Sequence, residues 1–94
     1  PAASVLYLVI QGRAVELVTD KGRRSLKAKM ADMYSLLASY GFGYCHKSYL
    51  VNFSRVVSVS NNSVIMENGD ILPISQPKAK SFKSEFLRYA KTAV

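Results

Sequence analysis

Residues 45–52 read CHKSYLVN, which sets a thiol (Cys45), an imidazole (His46), an ammonium (Lys47) and a hydroxyl (Ser48) in consecutive positions. Three chemistries use such groups. A thiol nucleophile needs a base within about 3 Å. A zinc ion takes about four ligands at recognisable spacings. A nucleic acid is read by hydrogen-bonding side chains that reach base edges or phosphates. The segment has the apolar context of a strand, and neighbouring strand residues point to opposite faces, so Cys45 and His46 are expected apart. Cys45 is the only cysteine and His46 the only histidine. No second base is available, no disulfide can close within the chain and no zinc sphere can be filled. The six acids suggest no carboxylate pair of the kind general acid–base work uses. The five glycines match neither GxxxxGK(S/T) nor GxGxxG. Catalytic residues, metal ligands and cofactors are therefore not expected.

What remains is binding, and charge indicates the partner. The 94 residues suffice for a single domain, 1–94, with a small core. Thirteen Lys and Arg stand against six Asp and Glu, a net charge of +7, and a field of that sign on so small a domain favours polyanions. The excess is clustered: residues 21–29 (KGRRSLKAK) hold five basic residues and no acid, and residues 76–94 hold five basic residues and one acid. A lone cysteine fits a reducing, cytoplasmic compartment. No stretch nears the ~20 apolar residues of a membrane span and no signal-peptide pattern is present, so a membrane partner is not expected. The chain starts at Pro1 and enters an apolar run almost at once, as a domain excised from a longer protein would.

The elements that must position these groups follow from periodicity. Residues 5–10 (VLYLVI) are continuously apolar, β-branched and aromatic, the mark of a buried strand. Strands are also expected at 14–19 and 24–28, the three forming an antiparallel meander. Met30, Met33, Leu37 and Tyr40, with Leu36 beside them, recur at helical spacing and predict a short helix over 30–39, ended by Gly41. This stripe reads as core rather than as a soft-metal site. Strands are then expected at 44–46, 48–51, 56–60, 64–67 and 71–74. An Asn61-Asn62 turn separates two of them, and Asn68-Gly69 predicts a two-residue hairpin turn. Pro73 confines its strand to an edge. A final helix follows, with Pro77 in its first turn, a face of Phe82, Phe86, Tyr89 or Ala90, and Ala93, and an opposite face of Lys80, Lys83, Arg88 and Lys91.

Two segments are suited to phosphate or groove contact. The N-terminus of the last helix offers free N–H groups and the positive end of its dipole beside Lys78 and Lys80; the same residues would equally make a solvated first turn. His46, Lys47 and Ser48 lie at a bend or strand start, where they could reach a groove; they would equally make a satisfied histidine beside a solvated lysine.

The wider pattern narrows this choice. CHKSYLVN followed by FSRVVSVSNNSVIMENGDILPIS resembles the LytTR domain, the DNA-binding output module of LytR/AlgR-type bacterial response regulators. The family core His-(Arg/Lys/Asn)-Ser-(Tyr/Phe)-(Leu/Ile/Val)-Val-Asn is matched by His46-Lys47-Ser48-Tyr49-Leu50-Val51-Asn52. A later Leu-Pro-(Ile/Val)-Ser-Arg segment is matched by Leu72-Pro73-Ile74-Ser75-Gln76. The resemblance covers nearly the whole chain. It implies a mostly β fold, an elongated set of small antiparallel sheets with one short middle helix and a C-terminal helix. It implies a transcription regulator whose loops, not a recognition helix, enter successive major grooves of double-stranded DNA. It further implies an attached receiver-type regulatory domain and pairing of two copies on repeated sites.

By the same resemblance Arg13, in the turn after the first strand, is a base or phosphate contact. Lys47 takes a base-reading position beside His46 and Ser48, Gln76 another, and Lys78 and Lys80 contact phosphate. Two departures stand out. Gln76 replaces the family's usual Arg; arginine suits guanine and glutamine suits adenine, so the base preference is expected to differ there. The strand or hairpin that commonly precedes the segment near Val5 is also absent, which would leave an edge strand or an incomplete first sheet. A basic β-rich RNA-binding or protein-interaction module is the alternative. It would interleave exposed aromatics with basic residues, whereas Tyr44, Tyr49 and Phe53 read as core.

Overall fold

A computed structural model describes residues 2–92. After a 3-10 turn at Ala2–Ser4 come β1 (Val5–Gln11), β2 (Ala14–Thr19), β3 (Gly22–Leu26) and α1 (Met30–Leu37), which tightens into a 3-10 turn at Ala38–Tyr40. Next are β4 (Phe42–His46), β5 (Tyr49–Asn52), a 3-10 turn at Phe53–Arg55, β6 (Val56–Val59), β7 (Ser63–Met66), β8 (Ile71–Pro73) and α2 (Gln76–Thr92). All strand pairings are antiparallel, in a five-stranded sheet of order β3-β2-β1-β5-β4 and a three-stranded sheet of order β6-β7-β8. The mostly β fold with two helices is as expected. Its extents are 33 × 27 × 26 Å, so any elongation is slight.

The continuous apolar run of β1 is explained by its place. It lies between β2 and β5 and is covered on both faces. On one face Val5 and Leu8 join Val15, Phe42 and Leu50 beneath α1, which contributes Met30, Met33, Tyr34 and Leu37. On the other, Leu6, Tyr7 and Val9 meet Val64, Met66 and Leu72 of the three-stranded sheet and Phe82 of α2. The edge strand expected near Val5 is thus not there: the long-range pairing of β1 with β5 fills its free side. The edges fall to β3, whose two arginines guard it, and to β4, against which α2 packs. The closeness of that packing is set by Gly43, where a Cβ would lie 2.4 Å from Phe53 Cζ and 2.9 Å from Glu85 Oε1. Phe53 in turn holds the rings of Phe82, Phe86 and Tyr89. Ala93, placed by periodicity on this apolar face of α2, lies outside the described residues.

Local differences have local causes. β3 starts at Gly22 rather than residue 24, because Thr19 pairs with Gly22 across a two-residue Asp20-Lys21 turn. The regular helix stops at Leu37, so Tyr40 leaves the stripe and is 64% exposed; Tyr34 packs instead, its ring 5.1 Å from that of Tyr44. Gly41 closes the 3-10 turn in the left-handed region, at φ +85°. Asn68-Gly69 does not form a two-residue turn. A two-residue type I′ turn needs positive φ at both positions, and Gly69 alone has it here. The loop is one residue longer, with Met66 N–H donating to Asp70 O at 2.9 Å and Asn68 Oδ1 accepting from Asp70 N–H at 3.1 Å. Pro73 does stand on an edge strand, β8.

Asn52, last residue of the CHKSYLVN stretch, is 2% exposed and fully partnered. Its amide nitrogen donates to Val5 O at 2.8 Å, and its Oδ1 accepts from Ser54 N–H at 3.0 Å and from Ser54 Oγ at 2.8 Å. It clamps the start of β1 to the exit of β5, a structural duty shared with the buried Leu50 and Val51 beside it, while Lys47 alone of the motif is exposed. Among the described residues no helix is long and apolar enough to cross a membrane.

Candidate nucleic-acid interface

The turns that carry the expected contacts meet at one end of the five-stranded sheet. β1 runs antiparallel to β5, with Val9 opposite Tyr49, and Ile10 N–H donates to Ser48 O at 3.0 Å. The Gly12-Arg13 turn after β1 and the Lys47-Ser48 turn before β5 are therefore neighbours. At the outer side of β4, Ser75 N–H donates to Cys45 O at 2.9 Å, which sets the first residue of α2, Gln76, beside the same turn. Arg13, Lys47, Gln76 and Lys80 are exposed, while His46, Ser48 and Lys78 are half-buried.

Each segment has its own local mechanics. Between β4 and β5 a bulge intervenes: Tyr44 pairs with Leu50 and His46 with Tyr49, leaving Cys45 as the extra residue. The bulge breaks strand alternation, and the expectation that Cys45 and His46 face opposite ways fails with it. Cys45 enters the core beside α2, and the His46 ring meets Tyr49 edge-on at 5.7 Å, which packs against that same core. What disables a dyad is different. The Cys45 thiol is 0% exposed and burial pushes it up to about 12, so it offers no thiolate at neutral pH. His46 Nδ1 already accepts the Ser48 N–H at 3.0 Å. The accepting nitrogen has no hydrogen, so the neutral ring carries its proton on Nε2. The ring thereby fixes the Lys47-Ser48 turn and keeps one donor in reserve.

The start of α2 divides its lysines. Gln76 and Lys80 are one turn apart and share a face, and Lys83 continues it, its Nζ donating to Asn61 O at 3.2 Å. Lys78 points elsewhere: its ammonium lies over the Tyr44 ring, 5.3 Å from the centroid. The pairing of Lys78 with Lys80 at the helix tip is thus split, because residues two apart on a helix diverge. Burial also raises the Tyr44 hydroxyl above its ordinary range, so it stays neutral beneath that cation.

In the sequence Asn61-Asn62 reads as a connecting turn only. In the fold Ile74 N–H donates to Asn62 O at 2.9 Å, which brings the β6–β7 turn against the entry of α2. No sequence signal marks this, because β6 and α2 are brought together by the pairing of β7 with β8. Arg23 and Arg55, by contrast, are engaged internally: Arg23 with Glu16 at 2.7 Å, and Arg55 with Glu67 at 3.0 Å and Ala3 O at 2.7 Å. Among the described residues no three His, Cys, Asp or Glu side chains lie close enough to hold a metal ion.

The LytTr DNA-binding domain family matches residues 1–86. The chain belongs to the LytTr DNA-binding domain family. Among solved structures it is similar to the LytTr DNA-binding domain of a Bacillus cereus protein named as a methyl-accepting/DNA response regulator. The TM-score is 0.83 at 23% identity, over 90% of this chain and 83% of that one. At that identity the likeness is one of fold. No match was found among the curated proteins. Membership makes DNA binding the activity of the family to which this LytTr domain belongs, and gives no enzymatic role to Cys45 or His46.

Proposed function

We propose that this LytTr domain binds double-stranded DNA sequence-specifically as the output module of a bacterial transcription regulator, with its turns inserted into the major groove. One observation carries the reading: the Gly12-Arg13 turn, the Lys47-Ser48 turn and the Gln76 end of α2 are neighbours at one end of the five-stranded sheet, tied by the Ile10–Ser48 and Ser75–Cys45 backbone bonds beside them. A major groove about 12 Å wide admits tight turns of this kind. Arg13, Lys47 and Gln76 are the base-reading candidates. His46 and Ser48 hold the Lys47 turn and can add a contact each. Lys78 and Lys80 supply phosphate contacts, Lys80 from the exposed face and Lys78 only by leaving the Tyr44 ring. Residues 1–94 act in the cytoplasm joined to a receiver-type domain, and two copies pair on repeated sites.

Support also comes from where the aromatics are. Phe53 is buried, and Tyr44 and Tyr49 pack against the two cores, so these three aromatics form no platform of the kind single-strand binders use. The test is a fluorescence titration with duplex and single-stranded oligonucleotides at several salt concentrations. The expected result is preference for duplex, with log K falling steeply against log salt as counterions are released. A shallow slope with no preference for duplex would refute the proposal and favour an RNA-binding or protein-interaction module.

A further inference from the structure

We infer that the β6–β7 turn is an additional DNA-reading element, in which the carboxamides of Asn61 and Asn62 act together with Gln76 on bases beside those reached from Lys47. This rests on the duplex-binding reading above and extends it to residues outside the matched motifs.

The placement is set by backbone bonds. Asn62 O accepts Ile74 N–H at 2.9 Å, and Ile74 is two residues before Gln76. Ser75 N–H in turn bonds Cys45 O at 2.9 Å, two residues before Lys47. The β6–β7 turn therefore adjoins the junction between β8 and α2, which adjoins the Lys47 turn. Asn61, Asn62, Ile74, Gln76 and Ala79 line an open cleft of about 410 Å3. The turn is held on both sides, since Ser60 N–H bonds Ser63 O at 2.9 Å and Lys83 Nζ bonds Asn61 O at 3.2 Å. The bonds from Ile74 and Lys83 use only the backbone carbonyls of Asn62 and Asn61. Among the described residues neither side-chain amide has a partner, and both residues are exposed.

The chemistry follows from the side chains. A carboxamide presents one acceptor and a two-hydrogen donor, and it pairs with the N7 and N6 edge of adenine through two bonds. Three amides around one cleft, where the family commonly has an arginine at the Gln76 position, favour A·T pairs over G·C at this part of the site. Uncharged amides neutralise no phosphate, so they contribute to base preference and leave the salt slope alone. Lys83, held on Asn61 O, places a positive charge at the rim and can steady a neighbouring phosphate.

The experiment is selection of bound duplexes from a random library, followed by titration of the preferred duplex and of single-base variants at two salt concentrations. It is run with the unaltered protein, Asn61→Ala, Asn62→Ala, the double variant and Lys47→Ala, each checked for an unchanged melting temperature. The double variant is expected to lose about 5- to 100-fold in affinity for the preferred duplex, to relax preference at one or two adjacent positions, and to keep the salt slope of the unaltered protein. Loss of affinity equal for all sequences, or no change in affinity or preference, overturns the inference. If Lys47→Ala still relaxes preference in that case, the duplex-binding reading survives without it. If the unaltered protein selects no sequence, both fall together.

Discussion

Tyr7 donates a 2.7 Å hydrogen bond to Asp70 Oδ2, joining residues 63 apart in the chain and fastening the five-stranded sheet to the β7–β8 loop. Arg23 approaches the same carboxylate at 3.6 Å and Asn68 Nδ2 donates to it at 2.9 Å. The Tyr7 bond, then that of Asn68, then the Arg23 charge hold Asp70 below its ordinary range against partial desolvation. Burial, reinforced by Asp70, pushes the Tyr7 hydroxyl up to about 12.

The two shifts give opposite limbs in stability against pH. Asp70, with its folded value depressed, stabilises above the unfolded carboxylate value of about 3.9, and the gain is lost as pH falls through the lower folded value. Tyr7, with its folded value raised, stabilises fully below the unfolded value of about 10 and loses this as pH rises towards 12. Tyr7→Phe is expected to cost about 1–2 kcal/mol at neutral pH, to shrink the acid loss and to remove the Tyr7 share of the alkaline one. Urea unfolding across pH 2–12 checks this; a Tyr7→Phe curve parallel to the unaltered one throughout would contradict it.

Asn52→Ala removes a buried amide and leaves the buried Val5 O without its donor. The cost is expected to be about 2–3 kcal/mol. Asn52→Asp should be worse at neutral pH, because a carboxylate would face Val5 O where the amide now donates. Both are read by denaturant midpoint. Base preference of whatever remains folded should not move, which separates this motif residue from Lys47.

Gly43→Ala puts a methyl group within 2.4 Å of Phe53 Cζ. The Phe53 ring must move, and with it the Phe82, Phe86 and Tyr89 rings of α2 that pack on it, with a loss of about 1–3 kcal/mol. Because Ser75 N–H is held by Cys45 O on the same strand, the shift should carry Gln76 out of line and weaken duplex binding beyond what thermal stability explains. A melting curve paired with a titration far below the melting temperature distinguishes the two effects.

Lys47→Ala and Lys80→Ala should part company on DNA. Lys47→Ala is expected to lose about 1–3 kcal/mol on the preferred duplex and to relax preference at one position. Lys80→Ala should weaken all sequences alike and flatten the salt slope by about one unit. Equal behaviour of the two variants in a selection and a salt titration would contradict the assignment of roles.

Sequence alone determined much of this protein. The period-2 and continuous apolar runs, the helical stripe over Met30 and Met33, Pro73 and Pro77, and the net charge of +7 are local signals. They are legible because secondary-structure period and charge are properties of short segments. They led to a mostly β, basic domain, and the CHKSYLVN stretch led to its family. The tertiary structure decided the rest. Only the pairing of β1 with β5 moved the first strand from an edge to the centre. Only the bulge at Cys45, opposed by a partner strand, turned Cys45 and His46 towards one side. Only the approach of Tyr44 gave Lys78 a ring to lie over, and only the bond from Ile74 to Asn62 brought a plain turn beside Gln76. Each depends on residues far apart in the chain meeting in space, and no window of neighbouring residues encodes which distant backbone will complete a hydrogen bond.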